Sequence, residues 1–324
     1  MSVGILSTAS YLPDKVLDNK YFESYLDTSD QWIRTRSGII ERRKLESDKS
    51  NSDIAYIVAK SAIEKASLRK EDIDVLIVGT VTGDYIFPAT ACIVAHKLGL
   101  KEIPAFDISA ACSGFMYSLH VGYSFVKSGM FNKVLIIGSE LVTRITDYND
   151  RSTCVLFGDG AGAVIIGETD KSKIIYSKIF SDGSGAEMLY IPAGGTKLSA
   201  SYDTVDKRLH YVKMNGRELF KIATLKMVEV INNTFKELNI GPNDISLLIP
   251  HQMNVRIMEA VCERINFPMS KVFVNIDRYG NTGAASIPIA LDEALKTGRI
   301  RQKDIVCLVS FGGGLTWAIS LIQF

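Results

Sequence analysis

Short apolar runs recur along the chain, each too brief and too rich in β-branched residues to read as a helix. "DVLIVGT" (74–80), "IPAFDIS" (103–109), "KVLIIGS" (133–139), "GAVIIGE" (162–168), "DISLLIP" (244–250) and "DIVCLVS" (304–310) are nearly continuous in apolar character. Such runs predict strands covered on both faces. Between them the polar and apolar positions follow a helical period. Over 216–239, Leu219, Ile222, Ala223, Met227, Val230, Ile231 and Leu238 fall on one rough stripe. Alternation of buried strands with amphipathic helices predicts an α/β architecture.

The pattern also repeats. "EDIDVLIVGT" resembles "NDISLLIPHQ", which sets Asp72 against Asp244, an offset of 244 − 72 = 172. "FVKSGMFNKVLIIGSE" resembles "ALKTGRIRQKDIVCLVSFGG", which sets Gly129 against Gly298, an offset of 298 − 129 = 169. Two matches in the same order predict a duplicated chain. The halves would be 1–170, carrying a cysteine in "DISAACSGF", and 171–324, carrying a histidine and an asparagine. With the second offset Asn281 matches Cys112; with the first, His251 matches Gly79. All three residues then lie just past the carboxyl ends of strands, where open α/β sheets bind ligands.

Composition narrows the setting. The 324 residues carry 37 basic and 36 acidic side chains, for a net charge of +1. No basic face for nucleic acid is indicated. No apolar run approaches the roughly 20 residues that span a bilayer, and "MSVGILSTASYLP" has no basic segment ahead of its apolar stretch, so no secretory signal or membrane association is expected. The cysteines (92, 112, 154, 262, 307) are odd in number, scattered and without a CxxC pair. A reducing, cytoplasmic setting is expected rather than a disulfide framework or a zinc site.

Cys112 is followed by Phe115, Leu119 and Val126 on a helical period. A thiol at a helix N-terminus is favoured as thiolate and is a candidate nucleophile for acyl transfer. His251, in "LLIPHQMN", offers an imidazole that can give or take one proton. Asn281, in "YGNTGAAS", offers amide donors without charge. The glycines of "SFGGGLTW" (310–317) let a backbone pass close to a reacting group and present N–H donors. Each has a plainer reading as a small core cysteine, a core histidine, a turn asparagine or a tight turn. "GDGAGA" (158–163) matches a dinucleotide fingerprint in form, but the run after it reads as strand rather than helix, so a hairpin-like connection is expected instead.

Together "TSDQWIRTRSGI", "AACSGF", "FGDGAGA", "MNGRELFK", "PHQMNVRI", "NTGAASIP" and "FGGGLTW" resemble the β-ketoacyl-acyl-carrier-protein synthase III family of the thiolase-like superfamily, nearly end to end. The resemblance implies a duplicated five-layered αβαβα fold and a homodimer. It implies that Cys112 is acylated by an acyl-CoA primer and that malonyl-acyl-carrier protein then condenses with loss of carbon dioxide. The N–H groups of Cys112 and Gly313 would form the oxyanion hole, and His251 and Asn281 would hold the enolate. Coenzyme A binding is implied for Thr28, Trp32, Arg36, Arg151, Phe220 and Asn254, and carrier-protein contact for Lys221 and Arg256. Phe87 would shape the acyl pocket of the other subunit. Coenzyme A enters as substrate, and neither metal nor redox cofactor is required.

Relatives with other chemistry fit less well. Ser310 stands where a thiolase has its second cysteine, with Cys307 back in the strand. No glutamate base adjoins the Cys112 motif, as hydroxymethylglutaryl-CoA synthases require. Asn281 replaces the second histidine of elongating synthases. A synthase III-like acyltransferase, a condensing enzyme of a polyketide-type pathway and a non-catalytic binding module are the alternatives. Met253 and Ser152 depart from the family's usual alanine and glycine.

Overall fold

The computed structural model describes residues 2–324. Nine strands build two sheets. The first comprises β1 (Ser2–Tyr11), β2 (Val75–Gly79), β3 (Ala105–Ile108), β4 (Lys133–Leu141) and β5 (Asp159–Thr169), in the order β1-β5-β4-β2-β3. The second comprises β6 (Lys173–Ser181), β7 (Leu247–Pro250), β8 (Ile305–Gly312) and β9 (Thr316–Gln323), in the order β7-β8-β9-β6. The six expected strands are all present. The edge strands β1 and β6, and the last strand β9, carried no comparable apolar run.

Pairing repeats between the sheets. β5 is antiparallel to both β1 and β4, while β2 runs parallel to β4 and β3. Likewise β9 is antiparallel to both β6 and β8, and β7 is parallel to β8. The position of β3 is reduced in the second sheet to one parallel bridge, Leu248 to Val272. Gln252 holds that stretch: its amide donates to the Phe273 carbonyl at 3.0 Å and its oxygen accepts the Asn275 N–H at 2.9 Å.

Seven helices frame the sheets: α1 (Asp30–Ser37), α2 (Asn51–Lys65), α3 (Thr90–Leu98), α4 (Gly114–Lys127), α5 (Gly216–Leu238), α6 (Val255–Arg264) and α7 (Ser286–Lys296). Helices α2 and α3 cover the outer face of the first sheet, and α5 and α6 that of the second. Between the sheets lie α4 and α7, packed through Phe115, Leu119, Ile287 and Leu291 against strands of both. The layers are therefore helix, sheet, helix, sheet, helix. Each large apolar side chain fully buried in that middle layer contributes about 1.5–3 kcal/mol relative to exposure.

Helix ends are set by local chemistry. The Asn215 side chain accepts the Glu218 N–H at the start of α5, and Asn239 closes it in the left-handed region (φ 52°). Ser29 caps α1 through the Trp32 N–H, and Gly38 ends it at φ 84°. A Cβ on Gly38 would lie 2.4 Å from a Val255 methyl, so glycine also docks α1 on α6.

The "GDGAGA" segment is not a connection. Asp159 to Ala163 are the first residues of β5 itself, paired with β4 throughout and with β1 as well from Ala161 onward. Its glycines answer to packing: a Cβ on Gly162 would stand 2.8 Å from the Pro288 Cβ as α7 crosses the strand. Pro288 lies in the first turn of α7, where a missing N–H costs no helix bond.

Candidate functional site

The turn that carries the cysteine is built by both halves. Ala111–Ser113 form a short 3-10 turn between β3 and α4, with Ala111 in the left-handed region (φ 46°). An alanine there costs roughly 1–2 kcal/mol and needs support. It comes from the second sheet. Thr316 Oγ1 donates to the Ala110 carbonyl at 2.9 Å, Ser113 Oγ donates to the Thr316 carbonyl at 3.2 Å, and Ser310 Oγ donates to Ser113 Oγ at 3.0 Å. Ser310, in the place of a thiolase's second cysteine, thus braces the turn that carries Cys112. A Cβ on Gly312 would meet the Cys112 nitrogen at 2.8 Å, so only glycine lets β8 end against that amide. Gly313 follows directly, its carbonyl 3.0 Å from the same Thr316 Oγ1, whose one proton it shares with the Ala110 carbonyl.

Cys112, His251 and Asn281 line one cavity of about 150 Å³ together with Gly312, Phe220 and Asn254. His251 is buried, and burial pulls its imidazolium down to about 3, so the ring is neutral at pH 7. Its Nδ1 lies 2.6 Å from Ser286 Oγ, which accepts the Gln252 N–H at 3.4 Å. With that hydroxyl donating to Nδ1, the ring's own proton sits on Nε2. Asn281 is fixed by its backbone, which donates to Leu156 and accepts from Gly158, and its Oδ1 accepts the Gly283 N–H at 2.9 Å. That leaves the Nδ2 donors. Two neutral donors are therefore presented beside the thiol.

The thiol does not behave as a helix N-terminus suggested. Burial, reinforced by the nearby Glu140 carboxylate, pushes Cys112 up to about 12. Desolvation outweighs the dipole of α4, and the resting group is a thiol. A second cavity of about 270 Å³ opens on the other side of Cys112, walled by Val81, Val142, Ile145, Val212 and Glu140. Although no glutamate adjoins the cysteine in sequence, Glu140 at the end of β4 reaches it in space. Burial raises Glu140 to about 7, against the donors of Thr82, Val81 and Thr80.

An open cleft of about 630 Å³ between α1 and α6 is lined by Trp32, Arg36 and Arg256. The Arg151 guanidinium lies 5.0 Å from the centre of the Trp32 ring and that of Arg36 6.0 Å. Asn254 Nδ2 donates to the Arg36 carbonyl at 3.0 Å, tying α6 to α1. Thr28 lies just ahead of α1, its Oγ1 enclosed without a partner among the described residues.

A family model described as 3-oxoacyl-[acyl-carrier-protein (ACP)] synthase III matches residues 106–183, and one for the C-terminal part of that enzyme matches 235–324. A beta-ketoacyl-[acyl-carrier-protein] synthase III of Caldanaerobacter subterraneus subsp. tengcongensis is 48% identical over 325 aligned positions, covering 100% of this chain and 98% of the relative. The chain belongs to the β-ketoacyl-[acyl-carrier-protein] synthase III family. The relative from Clostridioides difficile is also 48% identical, over 99% of this chain and 98% of its own. The crystal structure of 3-oxoacyl-[acyl-carrier-protein] synthase III from Aquifex aeolicus superposes with a TM-score of 0.92 at 45% identity, covering 100% of both chains. As a member of the synthase III family the chain is a condensing acyltransferase of fatty-acid synthesis with the thiolase-like α/β fold.

Against that family background, most of the expected residues converge. Cys112, His251, Asn281, Phe220 and Asn254 share one cavity; Trp32, Arg36 and Arg256 share the adjoining cleft. Met253 lines the cavity that holds Cys112, His251 and Asn281. Lys221 is exposed on α5 beside Glu218, 3.1 Å away, and the Arg256 guanidinium lies 5.9 Å from the Phe220 ring. Phe87 lines neither of the two cavities at Cys112: it is 84% exposed, beside Tyr85 and Ile86, which are also exposed.

The symmetry assignment of Asn281 is corrected. Helices α4 and α7 start at an offset of 286 − 114 = 172, so the mate of Cys112 is Ala284, in the matching turn Gly283–Ala285. Helix α4 has 14 residues and α7 has 11, so the offset falls to 169 only at the helix ends. Two residues of the site went unread. Ser286 carried no spacing signal, whereas Glu140 did: an acid inside the apolar run of β4 must have buried partners.

Proposed function

We propose that the protein joins a neutral acyl group from coenzyme A to malonyl-acyl-carrier protein, with loss of carbon dioxide, to start fatty-acid chains. The observation that carries this reading is the meeting of the Cys112 thiol with two neutral donors, His251 Nε2–H and the Asn281 amide, in one cavity.

In the first step Cys112 Sγ bonds to the acyl carbon, the carbon–sulfur bond to coenzyme A breaks, and the thiol proton leaves with the coenzyme's sulfur. The N–H groups of Cys112 and Gly313 receive the tetrahedral oxyanion. Malonyl thioester then loses carbon dioxide, and the charge that develops on its thioester oxygen is met by His251 and Asn281. Its methylene carbon attacks the acyl-cysteine, and Cys112 leaves as thiolate and takes up a proton. Donors already in place for developing charge are worth about 3–4 kcal/mol each. A charged imidazolium would be costly in this cavity, which suits a donor that stays neutral.

Trp32 and Arg151 would stack on the coenzyme's adenine, with Arg36 and Thr28 at the same end and Phe220 and Asn254 along the pantetheine arm. Lys221 and Arg256 at the mouth would meet the acidic carrier protein. In a homodimer the exposed Phe87 would reach the acyl cavity of the other subunit, and the scattered free cysteines suit a cytoplasmic setting. The test is to mix acyl-CoA and malonyl-acyl-carrier protein and follow carbon dioxide and the β-ketoacyl product. Release of both is the expected result, with the β-ketoacyl product lost in Cys112→Ala. Acyl transfer to the carrier protein without carbon dioxide would instead establish a plain acyltransferase.

A further inference from the structure

The wall of the larger cavity carries a single charge. Among the described residues that line it, Glu140 is the one with a carboxyl group; the rest of the wall is largely apolar. The side chain exposes none of its own surface to water. Three neutral donors bond to it. Val81 N–H donates to Oε1 at 3.1 Å, Thr80 Oγ1 donates to Oε2 at 3.3 Å, and Thr82 Oγ1 donates to Oε2.

What lies behind the hydroxyls fixes their direction. Thr80 Oγ1 accepts from Asn51 Nδ2 at 2.9 Å and from the Thr82 N–H at 3.1 Å. Thr82 Oγ1 accepts the Leu141 N–H at 2.8 Å. Each hydroxyl proton is thereby left for Glu140. Three donors that the carboxylate accepts without returning one favour its ionised form against the burial that raises it to about 7, so it carries its charge at pH 8. An apolar side chain here would leave those donors unanswered. The charge is part of the wall, and every group that offsets it is neutral.

We infer that Glu140 sets the charge selectivity of the acyl cavity, admitting neutral acyl chains to Cys112 and turning away chains that carry a carboxylate. The inference rests on the proposed acylation of Cys112. The same proposed reaction makes such a filter necessary, because its second substrate is a carboxylated acyl thioester. Malonyl and 3-methylbutanoyl groups have nearly the same shape, a carboxylate in one replacing an isopropyl group in the other. Shape cannot separate them well, but a fixed charge can. Two like charges about 6 Å apart at an effective dielectric constant of about 20 repel enough to disfavour the anion on the order of 100-fold.

The test compares acylation rates by intact-protein mass at pH 8 for three coenzyme A thioesters of similar shape: succinyl, succinamoyl and 4-methylpentanoyl. The wild-type protein is expected to take both neutral groups about 100-fold faster than succinyl. Glu140→Gln is expected to bring succinyl within about tenfold of succinamoyl, and Glu140→Asp to keep the discrimination. Should Glu140→Gln not fold, Glu140→Gln with Thr82→Val, which removes a donor that the new amide group cannot accept, reads the same ratio. Equal rates for succinyl and succinamoyl in the wild type, or the wild-type ratio in a folded glutamine variant, would overturn the inference while leaving Cys112 acylation intact. No adduct from any neutral thioester would instead remove the acylation reading, and the filter with it.

Discussion

The two halves place the same contact at the same point and use it differently. Gly79 at the end of β2 and His251 after β7 are symmetry mates, as 251 − 79 = 172; so are Gly114 and Ser286, as 286 − 114 = 172. In the first half the contact is backbone on backbone: a Cβ on Gly79 would come within 2.5 Å of the Gly114 carbonyl carbon. In the second half it is an imidazole on a hydroxyl, 2.6 Å apart. Close approach in one half seats the helix behind Cys112. The wider contact in the other leaves room for a buried hydrogen-bonded donor. One scaffold thus carries Cys112 in the turn of its first half where the second half carries Ala284, and brings His251 and Asn281 of the second half to the same cavity.

The largest expected effect is on the first copy. Cys112→Ala should abolish both acylation and condensation, measured by intact mass and by product formation. Next comes the second copy's share alone: Asn281→Ala should acylate normally and condense about 10²–10³-fold more slowly. Normal condensation would remove Asn281 from the chemistry.

Sharper still is an exchange across the symmetry axis. Gly79→Ala should destabilise the protein by about 1–3 kcal/mol in denaturant melts, because backbone rather than a flexible side chain meets the new methyl. Ser286→Ala should cost about 1–3 kcal/mol for the stranded Nδ1 and slow condensation more than acylation. Equal slowing of both steps by that change would mean that Ser286 supports the cavity rather than the ring's proton.

The smallest effect is on pH dependence. His251 is held neutral down to about pH 3, while an unfolded histidine binds a proton near 6.5. Its contribution to stability is complete above pH 6.5 and is lost as pH falls toward 3. Glu140 has the opposite sign: raised to about 7 from about 4.5, it favours the folded state at low pH and that contribution is lost as pH rises through 7. Between pH 7 and 5 the two contributions offset each other in the wild type, and His251→Gln keeps only that of Glu140, so its melting temperature should rise relative to the wild type's over that range, by on the order of 2 °C per kcal/mol. Parallel courses would show that His251 is not desolvated.

Much of this was legible in the sequence. The apolar runs gave the central strands because strands covered on both faces need no alternation, and α5 ended within one residue of its expected limit. The edge strands β1 and β6 were missed because they mix serine, lysine and tyrosine with apolar residues. The match of Asn281 to Cys112 failed because α4 and α7 differ in length, so one offset cannot hold along both. The thiol's protonation was misjudged because a helix start is visible in sequence and a desolvating cavity is not. Ser286 and Glu140 act through partners 35 and 58 to 60 positions away, which no local spacing discloses.

The division of labour is tested most directly by loading Asn281→Ala with a neutral acyl-CoA, confirming the adduct by intact mass, and then adding malonyl-acyl-carrier protein. The expected result is a full adduct that persists while the wild-type adduct discharges into β-ketoacyl product with carbon dioxide. Discharge at the wild-type rate, or failure to form the adduct, would contradict a nucleophile supplied by one half and a condensation step governed by the other.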